Sequence, residues 1–593
     1  MRKSDIVIVM LLFALLIAWG WRQKVNYVPQ KRPAVTQAAS EANLSNMAGT
    51  VITNAPVENL ANVSVPETKV ASIGKPAPEK HLAPEKQIDI QNSNSVLRLT
   101  SWGGGISSVT LSNYKQHNEK DSGPVVLDFS GMPALSLTGI EGLDASADFD
   151  ITKTEDGRGA ILVCVAKSGL ILRREVKLDD KYLVSIKDTF SNKSAIPLAL
   201  PVYNIAMGPM SMVETKASFS GISFLGVDTM PITSGDSIKH WDSESVIPTE
   251  VFGLQKAWYA CSMPDASALP ASVGHATKSP WAWVAVKNKF FVQILEPNGD
   301  AKECTIVAER DMKNSRVYAL KSVSAMVAKD GQVIEPGANV VNEYNYYAGP
   351  KEYNSLKTLP NYQVDVMELG TWSWFKWLCR MLLTTLNWLN SIIPNYGVAI
   401  ILLTLIVKVV FWPITHKSTE SMKKMQKLQP VIKALQEKFK DKPQKMHQEV
   451  MALYKEHKVN PMSGCLPILV QIPVFFALYT VLRSAVELRY AEFLWIKDLC
   501  EPENLLVGTI GFPINILPIL MTITSVFQTK LTPQTGDPQQ QKMMMWMPVI
   551  FLFMLYNMAS ALVLYWTINQ VLSIVQLAFN KWRSEKEAAL KKA

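Results

Sequence analysis

Between residues 397 and 579 the chain carries five apolar runs, at 397–412, 465–482, 510–527, 546–558 and 559–579, separated by polar connections. In hydrocarbon every backbone N–H and C=O must be satisfied internally, which restricts such runs to helices or a closed barrel. The last two form a nearly continuous stretch of 34 residues. As a straight helix it would extend about 51 Å, far beyond a hydrocarbon core of about 30 Å. It must fold back, and residues 557–560 are the expected turn.

The first of these runs, GVAIILLTLIVKVVFW, contains Lys408, and no other expected span offers an Asp or Glu to neutralise it. Placing an ammonium in hydrocarbon costs roughly 2.5–3.5 kcal/mol even on permissive scales, so such a charge faces protein or water. One reading is a wet cavity open on one side of the bilayer. A second is snorkelling, because Pro413 follows five residues later, about 7.5 Å along a helix. Thr404, one turn earlier on the same face, adds a polar neighbour and leaves both readings open.

The rest of the 593 residues divides by composition. Residues 1–21 begin with Arg2 and Lys3 and continue into an apolar core, a pattern shared by signal peptides and uncleaved anchors. Trp19 and Trp21 stand where a small-residue cleavage site would lie, which favours an anchor. Residues 22–92, rich in Pro, Ala, Asn, Ser and Val, cannot bury enough surface to offset chain entropy and are expected to be a flexible linker. From 93 to 350 short alternating runs such as LILRREVKL and YLVSIKDTF, punctuated by Gly103–Gly105 and Asp330-Gly331, predict an exported β-sandwich. The cysteines of the exported part, Cys164, Cys261, Cys304 and Cys500, show no spacing that identifies a disulfide.

Residues 351–395 form a connector ending in a segment with Trp372, Trp374, Trp377 and Trp388. Lys376 and Arg380 near its middle favour a helix lying in the headgroup region over a further span. The expected spans are then 396–414, 463–483, 510–529, 546–558 and 559–580. Their connections alternate in charge: residues 415–460 carry eleven Lys against five acidic residues, and 484–509 two basic against five acidic. Residues 530–545 form a second cytoplasmic loop, and the tail 581–593 has five basic against two acidic residues. By the positive-inside rule both termini lie in the cytoplasm and the sandwich outside, with six transmembrane helices in all, five of them forming a core bundle.

Within 415–460, Met422, Met425, Leu428, Val431, Ile432, Leu435 and Phe439 recur at helical spacing, followed by Met446, Val450, Leu453 and Tyr454 beyond a KDKP turn. This predicts an antiparallel cytoplasmic hairpin. Its Met-rich seam is either mutual packing or an adaptable apolar surface for other chains. The same lysines fit weak attraction to RNA phosphates or anionic lipid, although topology alone already accounts for them.

Catalytic patterns are sparse. No His lies in a span, His447 and His457 are too far apart for a helical metal pair, and no phosphate-cradling Gly-x-x-x-x-Gly-Lys motif occurs. No metal or other cofactor is called for. Spans without carboxylates argue against a proton-coupled transporter. A hydrolase with Lys408 as base for Ser525 or Ser560 is a further alternative that spacing does not settle.

The order of these parts, with YGVAIILLTLIVKVVFWPIT, then VNPMSGCLPILVQIPVFFALYTVLRSAVELR, then MPVIFLFMLYNMASALVLYWTINQ, closely resembles the YidC/Oxa/Alb family of membrane protein insertases, in its Gram-negative form. The resemblance implies a bacterial inner-membrane protein with a five-helix bundle around a hydrophilic groove. Its groove charge is usually Arg; Lys408 stands here, keeping the charge and losing the bidentate fork. Thr404 and Gln471 match polar groove positions. Tyr565 and Trp566 fall at an aromatic pair, and Met521 and Met554 match apolar positions that contact clients or fill the bundle core. The expected function is insertion and chaperoning of nascent membrane proteins, alone or with the Sec translocon and its accessory subunits. Met422, Met425 and Met446 are hairpin candidates for receiving clients, and hairpin and tail for contact with ribosome, targeting machinery or lipids. The exported domain resembles sugar-binding sandwiches of the mutarotase type.

Overall fold

A computed structural model describes residues 83–119, 121–211, 225–232, 239–241, 272–297, 301–310, 320–369, 372–439, 442–457, 459, 466–483, 485–505, 513–532 and 538–590. The expected N-terminal anchor at 1–21, and the linker up to residue 82, lie outside them.

Residues 87–350 are all β among the described residues, with every pairing antiparallel. A four-stranded sheet, Gln87–Gln91 through Pro124–Asp128, packs beside a larger sheet of thirteen strands. The first strand, Gln87–Gln91, pairs with Ser95–Thr100 and corrects the linker boundary at 92. Its QIDIQ alternation is five residues long, too short to stand out beside the Pro-rich tether. Alternation is clearest at Leu170–Leu178, where every second side chain is buried. One of those inward positions is Arg174. Its guanidinium donates to both carboxylate oxygens of Asp188 at 2.7 Å, and to the Gly104 and Leu135 carbonyls at 2.9 and 2.6 Å. A buried charge is tolerated only when paired and hydrogen-bonded in this way. The sheets approach so closely at Gly208 that a Cβ there would meet the Phe129 ring at 2.3 Å.

The connector carries a helical turn at Tyr353–Leu356 and a 3-10 turn at Gln363–Met367. Among the described residues seven longer helices follow: α1 Ser373–Ile392, α2 Tyr396–Lys438, α3 Pro443–Glu456, α4 Leu466–Leu482, α5 Ile516–Leu531, α6 Pro538–Leu555 and α7 Ser560–Leu590. In α1 one face, Cys379, Leu382, Leu383, Leu386 and Leu389, is buried, while Trp372, Trp374 and Trp388 are exposed. Asp365 ties its basic residues to the connector, accepting from Lys376 at 2.9 Å and Arg380 at 2.7 Å.

Three expected boundaries move. The span and the first hairpin arm, set at 396–414 and 415–460, are one 43-residue helix, α2, with Pro413 inside it. Proline removes one backbone donor without breaking a helix held by flanking turns, so the change from apolar to Lys-rich sequence marks no break. Similarly α6 starts at Pro538, within residues expected as loop, and α7 runs through the basic tail to Leu590. The expected fold-back does occur: residues 556–559 separate α6 from α7. Among the described residues α2 and α7 are long and apolar enough to cross a membrane, while the apolar parts of α4, α5 and α6 are shorter. One hydrophobic core joins the sheets, α1 and the outer parts of the bundle.

Candidate functional site

α7 packs against both α2 and α5, and its polar residues fall on matching faces. Asn569, Ser573, Gln576 and Asn580 recur at i, i+4, i+7 and i+11; on α2, Thr404, Lys408, Thr415 and Thr419 follow the same periodicity. The two stripes meet. Lys408 Nζ donates to Ser573 Oγ at 2.6 Å, and that hydroxyl donates to the Asn569 carbonyl at 2.8 Å. Gln576 Nε2 donates to Thr415 Oγ1 at 3.1 Å, and Lys423 Nζ to the Asn580 carbonyl at 3.3 Å. From α5, Thr524 donates to Gln570 Oε1 at 2.7 Å, while Gln570 donates to Ser525 Oγ. A polar seam thus runs about 15 Å along α7, from Gln570 to Asn580.

Lys408 is half-buried, and no ion pair reaches it among the described residues. Its contact with Ser573 is directed inward, against another helix, which is not the geometry of a side chain stretched to the headgroups. The Ser573 hydroxyl is itself directed at the Asn569 carbonyl of its own helix. Ser525 accepts from Gln570, and Ser560 donates to the Glu501 carbonyl at 2.6 Å; neither is the partner of Lys408.

The other sequence-selected residues are distributed around this seam. Thr404 is buried and its hydroxyl donates to the Ile400 carbonyl at 2.6 Å, inside its own helix. Gln471 of α4 lies near the hydroxyl of the buried Tyr565. Trp566 meets Phe475 and Phe551 edge-on, with ring centroids 4.9 and 5.4 Å apart, so it joins α4, α6 and α7. Met521 is fully buried, whereas Met554 is exposed on α6. Met422 and Met425 are buried in the hairpin, where Met425, Leu428 and Ile432 pack with Val459, Val450, Leu453 and Tyr454. Met446 is half-buried, and Val431, expected in the seam, is 47% exposed.

Sequence reasoning missed Asn569, Gln570, Ser573, Gln576 and Asn580. Their signal was present as helical spacing of polar residues within an apolar run, where a polar side chain needs a partner.

At the opposite end, residues 485–505 bind the helix starts to the β domain. Arg489 donates to the Lys115 and Gln116 carbonyls at 2.7 and 3.0 Å and lies over the Tyr490 ring. Glu503 accepts from the Leu517 backbone N–H at 3.0 Å, at the beginning of α5. Burial, with Glu352 nearby, pushes the Glu487 carboxyl up to about 7, and burial pushes Asp498 up to about 6. Burial lowers Lys351 to about 7. Among the described residues no group of His, Cys, Asp and Glu is arranged to hold a metal ion.

Comparison with known proteins adds family and extent. A family model described as "YidC periplasmic domain" matches residues 87–385, and one described as "60Kd inner membrane protein" matches 388–587. A membrane protein insertase YidC from Pelobacter propionicus is 32% identical, the match covering 93% of this chain and 94% of the relative. The insertase of the same name from Syntrophus aciditrophicus is also 32% identical, over 97% of this chain and 98% of its own. A solved structure described as an active YidC insertase with its first transmembrane domain resolved aligns over 84% of this chain and 93% of its own. Its TM-score is 0.34 at 19% identity.

Proposed function

Because the chain belongs to the YidC family of membrane protein insertases, we propose that the polar seam between α2, α5 and α7 is the path along which it passes hydrophilic segments of its clients. The protein is an inner-membrane insertase with nascent membrane proteins as substrates, and not an enzyme. The observation that carries the groove reading is Lys408: an ammonium inside the bundle, held by a neutral hydroxyl rather than a carboxylate. A neutral partner is exchangeable. An acidic residue of an entering segment attracts the ammonium more strongly than Ser573 does, because a carboxylate adds ion–ion attraction that a neutral hydroxyl cannot supply. The seam's hydroxyls and amides then offer partners in turn, and burial of the client's apolar helix in lipid drives release.

In this reading six spans cross the membrane, namely the N-terminal anchor, α2 as far as Trp412, α4, α5, α6 and the apolar part of α7. Both termini are cytoplasmic and α1 lies at the outer interface with its exposed tryptophans in the headgroups. The hairpin and the basic end of α7 receive clients and meet ribosome, targeting machinery or anionic lipid. The protein works alone or with the Sec translocon and its accessory subunits. Gln471, Trp566 and Met554 form the wall along which clients move, with the buried Thr404, Tyr565 and Met521 packed behind it; Met446 is the first apolar contact, and Met422 and Met425 become available when the hairpin opens.

Insertion of a two-span client into vesicles containing only this protein tests the groove. Lys408→Arg retains insertion; Lys408→Ala lowers it, most for clients with acidic translocated segments. Equal insertion by Lys408→Ala across several clients rules out the charge's role. Solute flux coupled to Lys408 identifies a transporter instead.

A further inference from the structure

Glu501 makes two kinds of contact that point in different directions. Its side chain accepts from Lys289 Nζ of the β domain at 2.6 Å, and both side chains are largely buried, at 14% and 11% exposure. Its backbone carbonyl accepts from both the N–H and the hydroxyl of Ser560, at 3.0 and 2.6 Å, while the Leu499 carbonyl accepts from Ala561 N–H at 2.9 Å. The first N–H groups of a helix have no partner within it. Here two at the start of α7 are satisfied by the exported loop, and the residue supplying one of those carbonyls is gripped by the β domain. The next residue inward, Cys500, is buried, its thiol directed at the Ala485 carbonyl 3.2 Å away. Lys289, Tyr479, Arg483, Cys500, Glu501 and Met558 line a small cavity at this junction.

We propose that Glu501 is a positioning residue for insertion: paired with Lys289, it lets the β domain hold the exported loop on the first turn of α7, fixing the groove wall and closing the bundle's outer end. This rests on the groove reading above, because α7 carries Tyr565, Trp566 and Ser573. The pair is suited to the task because a desolvated ion pair loses heavily when one partner is removed or reversed, whereas restoring opposite charges restores the attraction. Purely local packing at the loop would be indifferent to which residue carries which sign.

The experiment uses the full chain in vesicles with Lys289→Glu, Glu501→Lys and the double exchange. A membrane-impermeant maleimide is added from the β-domain side, and the peptide carrying Cys500 is quantified by mass mapping. Insertion of a two-span client is measured in parallel. In the unaltered protein Cys500 reacts slowly, burial having pushed its thiol well above the ordinary range. Each single reversal is expected to raise its alkylation rate by about tenfold or more and to lower insertion severalfold. The double exchange restores both. Unchanged Cys500 reactivity in both single variants overturns the proposal, and so does exposure that the double exchange fails to reverse. Exposure with undiminished insertion removes the positioning role. Absence of insertion by the unaltered protein defeats the groove reading instead, and the labelling result stands apart from it.

Discussion

At the scale of single residues, the groups that matter are those whose charge is set by burial rather than by a partner. Glu487, beside Glu352 and within reach of Asn387, titrates at about 7 against an ordinary value of 4.5. A folded-state value above the unfolded one means that the native protein holds an extra proton between these limits. Stability is therefore full below pH 4.5 and falls as pH rises toward 7, by at most about 3 kcal/mol. Asp498, at about 6, contributes in the same direction, while Lys351 acts only above 7, where stability rises again toward its unfolded value. Glu487→Gln is expected to flatten the fall in unfolding midpoint between pH 4.5 and 7, as measured by thermal denaturation in detergent. An unchanged slope sinks this assignment. Lys408 was legible in the sequence because a lone cation in an apolar run has few explanations. The polar stripe holding its partner Ser573 was present in the spacing, but which of its members meets Lys408 was not, since such side chains also bond their own helix, as Thr404 does.

Elements show where sequence pattern gives way to packing. Helix α2 begins against the loop at 485–505, with Gly397 so close to Phe493 that an added Cβ would lie 2.1 Å from its ring. Gly397→Ala is expected to destabilise the bundle by about 1–3 kcal/mol, because the clash reaches the root of the Phe side chain as well as the ring. Unfolding in denaturant measures this, and the cost of Gly397→Ala should shrink when it is measured in a Phe493→Ala background. In the seam, Gln570→Ala removes two bonds to α5. The expected cost is modest, about 0.6 and at most about 1.7 kcal/mol, because Thr524 also bonds the Leu520 and Met521 carbonyls of its own helix. Most helices were readable from apolar runs and the turn at 556–559 from length alone. The continuity of α2 past Thr415 was not, because composition changes there while backbone hydrogen bonding does not. Short strands such as Gln87–Gln91 escape for a related reason: their identity comes from a neighbouring strand.

For the whole molecule, the division into an exported β domain, a connector and a helical membrane part was visible in composition and charge, whereas the docking between them was not. Arg489 and Glu501 reach partners more than two hundred residues away in sequence, and no local pattern announces such contacts. The proposed topology predicts that a cysteine introduced at Ser122 is labelled by impermeant reagent only from the β-domain side, and one at Met446 only from the opposite side. Labelling of both from one side would refute it. The continuity of α2 has a mechanical consequence. Beyond Trp412 the helix runs another 26 residues to Lys438, an arm of about 39 Å. Thr415 and Lys423, beyond Pro413, still bond Gln576 and Asn580 of α7, so the free part of the arm starts after Lys423 and is about 22 Å long. In the proposed topology a chain landing on the hairpin would push on an arm whose root is bonded to the polar seam, so that contact made outside the bilayer would reach the Lys408 stretch as torque.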